Sequence, residues 1–177
     1  MRRVFESGFR TALWMDAAFQ PIASISPLWA EIKGQGWYIQ MQGDAVLGNW
    51  CSDRALEIFG IDRDEAMQIP LCFSGIVGID KQTWVGSQIW SQWESLYERG
   101  AFDGPHLNAP HWPQPGPWGY KIAGDCSHDP RCCGHRHDEA ALSFILYSMG
   151  LKPRDEPFLT LGSPEGFIGH KVELQCQ

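Results

Sequence analysis

The chain has 177 residues, enough for one domain with a full-sized core, and its 44% hydrophobic and 20% charged content is that of an ordinary globular protein. A net charge of -7 with no run of Lys and Arg excludes a surface that tracks a phosphate backbone, so nucleic acid is not an expected partner. No segment carries the roughly 18 apolar residues of a transmembrane helix, and the opening MRRVFESGFR has basic residues but no apolar core after them, unlike a signal peptide. The default compartment is then the cytoplasm, where the six cysteines read as thiols or metal ligands before disulfides.

Residues 2–10 read as the last turns of a helix, with Val4, Phe5 and Phe9 on a shared face. The stretch 11–19 (TALWMDAAF) runs four strand-like residues, Ala12 to Met15, into Asp16 and then into small residues. An apolar run without polar alternation suits a strand buried on both faces of a parallel or mixed sheet. A carboxylate at the carboxyl end of such a strand lies where open α/β sheets bind ligands, although it can equally cap a turn. Ser26 reads as an N-cap with Pro27 at the first helical position, and that helix stops near Gly34 or Gly36. A second strand covers 36–41, and 43–48 reads as a turn or short loop.

Ser52 opens a helix that Gly60 closes, and Asp62 with Glu65 has capping-box spacing for a brief helix over 63–68. Residues 72–80 (CFSGIVGID) read as a strand whose glycines mark a bulge or a close backbone approach. The longest helix is expected over 82–99, with Val85, Ile89, Trp93 and Leu96 on one face, broadened by Trp84, Trp90 and Tyr97. The proline density of 100–125 stops regular structure there, and 100–137 reads as a long Pro/Gly/His/Cys-rich loop. A last helix starts at His137 or Asp138, runs to Met149 and is closed by Gly150, with Asp138 on the same inward face as Leu142. After it, 158–161 is strand-like and an edge strand starts at His170.

Several residue groups carry candidate chemistry. Cys126, His128, Cys132, Cys133, His135 and His137 crowd one short loop with the soft and borderline ligands zinc takes, although the spacing matches no common finger or ribbon and a solvent-facing loop is the plain alternative. Asp138 and Glu139 stand at a helix start, which the helix dipole favours whatever the protein does, and Asp138 can face the strand ends. Ser74-Gly75 offers a hydroxyl and a close backbone approach, and His170 follows Gly169. No Gly-x-Ser-x-Gly, P-loop or dinucleotide fingerprint is present.

The order of LWMDAAF, PLCFSGIVGID, GHRHDEAALSFILYSMGLK and IGHKV resembles the catalytic half of GT-A-type, nucleotide-sugar-dependent glycosyltransferases, and more narrowly the glycosyltransferase-like proteins of bacteria and their phages. The resemblance implies one glycosyltransferase-like domain over 1–177, an α/β fold with a small mixed sheet flanked by helices. That fold would correspond to the C-terminal part of a nucleotide-diphospho-sugar transferase. It implies Asp16 and Asp138 as catalytic residues, with Asp16 and His170 on a Mn2+ or Mg2+ ion. Ser74, Gly75, His137 and Glu139 would line the pocket for a nucleotide-sugar donor and an acceptor. Ala18 stands where the family's second metal-binding Asp would be, and Glu139 stands for its usual Gln. The family's first βαβ portion would precede Asp16, which implies a chain truncated at its N-terminus or a partner chain that supplies that half. The rival expectation is a non-enzymatic zinc-binding or interaction module built on Cys126, His128, Cys132, Cys133 and His135.

Overall fold

The computed structural model describes residues 1–17, 19–21, 24–110, 123–155, 159–160 and 168–170. In chain order its elements are α1 (Arg2–Glu6), β1 (Thr11–Met15), β2 (Phe19–Pro21), α2 (Ser26–Gln35), β3 (Trp37–Val46), a 3-10 turn (Leu47–Asn49), α3 (Asp53–Phe59), α4 (Arg63–Ala66), β4 (Pro70–Asp80), α5 (Trp84–Glu98), β5 (Leu107–Asn108), β6 (Ala123–Gly124), α6 (His137–Ser148), β7 (Leu159–Thr160) and β8 (Ile168–His170). The class is mixed α/β, with a small three-stranded antiparallel sheet in the order β1-β4-β3. The residues fall into two compact units, one from 1–40, 75–88 and 154–177, the other from 41–74 and 89–153.

In the first unit β1 pairs antiparallel with β4, Thr11 opposite Asp80 and Met15 opposite Ile76. This corrects the expectation of a doubly buried strand in a parallel or mixed sheet. β1 is the outer strand of its sheet among the described residues, only Ala12 in it is buried, and Trp14 is 46% exposed. The apolar run misleads because a tryptophan satisfies both sides of such a surface: its ring covers apolar area while its indole N–H reaches a polar partner, here Asp16 Oδ1 at 3.1 Å. The buried strand is β4 instead, where Ile76, Val77 and Ile79 have the β-branched shape that packs on a pleated surface. Ile32 and Leu28 of α2 are fully buried, each side chain contributing about 2 kcal/mol by its removal from water. Sense is mixed outside this sheet: β8 pairs antiparallel with β2, Phe19 opposite His170, and parallel with β7. The continuation of β8 expected beyond His170 lies outside the described residues, as do Phe158 and Leu161.

Two glycines set a junction in this unit. Gly36 ends α2 with φ +94°, in the left-handed region that favours glycine, and its N–H donates to Ile32 O at 2.8 Å. A Cβ built at Gly36 would strike Thr83 Oγ1, and one built at Gly86 would strike the carbonyl oxygens of Asp80 and Gly36. α2 itself begins at Ser26, with Ile25 as its N-cap, one residue earlier than expected.

The second unit is helical, and its short helices start where their side chains cap them. Ser52 Oγ accepts from Ala55 N at 3.2 Å, and Asp62 Oδ1 accepts from Glu65 N at 2.8 Å. Caps of this kind are worth about 1 kcal/mol each. Phe59 of α3 stacks on Phe144 of α6 with centroids 4.5 Å apart, and Leu142, Ile145 and Leu146 of α6 are buried. Two expectations fail here. β3 continues through Val46, so 43–46 is strand rather than turn. Trp84 and Tyr97 of α5 are exposed rather than part of its buried face, as are Val4 and Phe9 near the N-terminus. The 100–137 segment holds β5 and β6, paired parallel, and a bridge from Leu107 to Gly134.

Candidate functional site

The first turn of α6 carries the strongest polar arrangement. Its geometry starts with His137, which has φ 36°, a left-handed conformation uncommon for a side-chain-bearing residue. His137 Nδ1 donates to Phe102 O at 2.7 Å, which holds the imidazole against the 100–137 segment. Its ring stacks on His106 at 5.8 Å and meets His135 edge-on at 4.9 Å. The ring anchors the helix start.

Asp138 and Glu139 follow. Glu139 is the more buried, at 8% exposure, and Asp138 is half-buried. Ser74 of β4 lies against both. Its hydroxyl donates to Glu139 Oε1 at 3.4 Å, and Ser74 favours the charged form of both neighbouring carboxyls. Gln42 of β3, with its amide turned to present nitrogen, donates to both Glu139 oxygens at 3.3 and 3.2 Å. Ser143, one turn along α6, accepts from Cys72 N at 2.8 Å and donates to Glu139 O at 2.7 Å, which fixes the helix to β4 beside Ser74.

Burial pushes the Glu139 carboxyl up to about 7, helped by the neighbouring Asp138 charge and opposed by Arg136. Burial also raises Asp138 above the usual carboxylate range, against the hydrogen bond from Ser74. Arg136 lies over the Trp50 ring at 4.4 Å, donates from Nη1 to His106 Nε2 at 3.2 Å, and keeps Nε buried without a hydrogen-bond partner among the described residues. Burial and the Arg136 charge hold His106 below the ordinary histidine value. A carboxyl that exchanges its proton near neutrality suits general acid or base work.

Asp16 is exposed in the first unit, just past β1, with its N–H on Gly75 O at 2.9 Å. Gly75 belongs to that unit, whereas Ser74 belongs to the second. His170 is placed by its backbone in β8, and its side chain lies outside the described residues. In the Cys/His loop His135 is buried with both ring nitrogens engaged: Nδ1 accepts from Ser52 N at 3.4 Å and Nε2 donates to Ala101 O at 2.9 Å. Burial holds it neutral, with its pKa lowered to about 4. His128 is exposed, Cys133 half-exposed, and Cys126 and Cys132 are buried thiols. Among the described residues no group of three or more His, Cys, Asp and Glu side chains is disposed to hold a metal ion.

Gln42, Arg136, His106 and Ser143 are participants that sequence reasoning missed. Gln42 lies one residue past the strand expected over 36–41, which the structure extends through Val46 with Gln42 half-buried. No helix among the described residues is long and apolar enough to cross a membrane. A scan against protein-family models gives no match, and searches of curated proteins and of solved structures give none.

Proposed function

We propose that the chain is a glycosyltransferase-like enzyme whose proton-handling centre is Asp138, Ser74 and Glu139. The observation that carries this reading is a pair of adjacent, largely buried carboxyls of raised proton affinity at the start of α6, one of them accepting from the Ser74 hydroxyl at 3.4 Å. Asp138, the more accessible of the two, accepts the proton of an acceptor hydroxyl as that oxygen bonds to the anomeric carbon of the donor and the bond to the departing diphosphate breaks. Glu139, the more buried, accepts from Ser74, and Gln42 holds its carboxyl in place. General base catalysis of this kind contributes about 10²–10⁴-fold.

The donor class, a nucleotide sugar, comes from the sequence resemblance. Its diphosphate calls for a Mn2+ or Mg2+ ion, which would neutralise charge on the leaving group. The described residues assemble no such site around Asp16, so no step is assigned to a metal.

The test is a thermal-shift titration with UDP, GDP and their sugars, with and without manganese, followed by nucleotide release from whichever sugar binds. A ligand that binds only the folded state raises its melting temperature. Asp138→Asn is expected to keep that shift and lose at least 10²-fold in release rate. Absence of a shift with every nucleotide overturns the transferase reading. A shift with undiminished release in Asp138→Asn overturns the site.

A further inference from the structure

We infer that β1 is a self-association edge, along which two copies of the chain join antiparallel about a two-fold axis at Leu13, a contact independent of the carboxyl site. The direction of its main-chain groups is fixed by β4. Arg10 O accepts from Lys81 N at 2.9 Å and Asp16 N donates to Gly75 O at 2.9 Å, one at each end of the Thr11–Met15 register. In an antiparallel ladder alternate residues turn both main-chain groups to the same neighbour. Ala12 and Trp14 therefore bond to β4, and the N–H and C=O groups of Thr11, Leu13 and Met15 point to the outer side. Asp80, opposite Thr11, turns its N–H away from β1 to Gly36 O at 2.8 Å, as this alternation requires.

β1 is the outer strand of its sheet among the described residues, so no described strand pairs with this side. The edge lacks the devices that keep such edges apart. TALWM holds no charge and no proline, and its register with β4 runs without a bulge. Thr11, Leu13 and Met15 are half-buried, and Trp14 is exposed.

The occupant is a second copy because the residues around Leu13 complement their own reverse. With Leu13 opposite Leu13 of the second copy, Thr11 stands opposite Met15, and every outward N–H meets an outward C=O. Ala12 then stands opposite Trp14, the smallest side chain of the strand beside the largest. Arg10 and Asp16, both exposed, stand opposite each other at both ends. They form a non-hydrogen-bonded pair, the kind in which side chains come closest and opposite charges attract. A two-fold contact must be self-complementary, and this register satisfies the main chain, the indole and both charges together. A shift of two residues keeps the main-chain bonds but sets Trp14 or Ala12 against itself and parts Arg10 from Asp16.

The test is sedimentation velocity of the full chain over a concentration series, with amide hydrogen exchange read at both ends of the series. A reversible dimer is expected. The Thr11, Leu13 and Met15 amides should gain protection as it forms, while those of Ala12 and Trp14 keep theirs. Arg10→Asp and Asp16→Arg each turn two opposite-charge pairs into like-charge pairs, and each is expected to weaken the dimer about tenfold or more. The double variant exchanges the two charges and is expected to recover the parent affinity. The exchange pattern of the parent needs no variant, so it decides even if a charge-reversed chain fails to fold. A monomer at every concentration, a dimer without the alternating protection, single variants that dimerise as the parent does, or a double variant as weak as the singles each overturns the inference.

Discussion

Two polar clusters lie in the second unit, and they differ in how far their groups are satisfied. Around Asn108 and His135 the answer is complete. The Asn108 side chain makes four hydrogen bonds, and His135 uses one ring nitrogen to accept and the other to donate. At the start of α6 two neighbouring carboxyls are held against their charge by burial, with a serine hydroxyl on Glu139 at 3.4 Å, and a guanidinium keeps a buried N–H without a partner among the described residues. Saturated polar groups rigidify a loop, whereas under-satisfied ones remain chemically available. The richer inventory of ligand-type residues is thus in the cluster that is closed, and the plainer pair of carboxylates is in the one that is open.

The sharpest way to break the contrast is Asn108→Leu. It leaves Cys126 N, Ser127 O and Cys132 O buried without their partner. The expected loss is on the order of 3–5 kcal/mol, read as a lower urea midpoint with an unchanged slope.

Glu139→Gln should act in the opposite direction. The native carboxyl has its pKa raised from 4.5 to about 7. The native state therefore binds more protons than the unfolded chain between those values. Its contribution is fully present below about 4.5 and is lost as pH rises through about 7. At pH 8 the glutamine variant is expected to be more stable than the parent by about 2–3 kcal/mol, and the gain should vanish by about pH 4. Urea melts at both pH values decide it.

His135 tests the closed cluster by the same linkage with the other sign. Its pKa falls from 6.5 to about 4, so its contribution is present above about 6.5 and is lost as pH drops through about 4. In the parent chain this loss opposes the Glu139 gain between about 4.5 and 6.5, and the stability profile there is expected to be nearly flat. Glu139→Gln removes the Glu139 contribution that opposes it, and stability is expected to fall on acidification over the same range. The smallest effect is expected at Arg54, whose pair with Asp103 is 3.9 Å long and mostly exposed. Arg54→Ala should leave the melting temperature within experimental error, because exposed pairs contribute little.

The legible parts of the fold were those decided locally. Ser52 with Gly60 and Asp62 with Glu65 follow from neighbours a few residues apart, and the structure keeps them, whereas α6 is buried at consecutive positions from Glu139 to Ser143 rather than on the one face expected to carry Asp138. The place of β1 depends on which strands flank it, which no local pattern records. In the candidate site Ser74, Asp138 and Glu139 were readable as residues with capacity for chemistry. That they meet depends on a contact spanning 65 residues. The Cys/His loop misdirects for the same reason. His135 is taken up by Ser52 and Ala101, at separations of 83 and 34 residues, and composition cannot distinguish an engaged imidazole from an available one.

The Gly36 and Gly86 junction carries a consequence for heredity rather than for chemistry. A side chain at either position meets neighbouring atoms, main-chain carbonyls in the case of Gly86, and a repacked core cannot move a carbonyl aside as it can a flexible side chain. In a saturation library selected for folded chains, these two codons should stay nearly invariant while the exposed Trp84 beside them drifts freely. The tolerance map of the first unit would then be written by two residues that contribute no side chain to it.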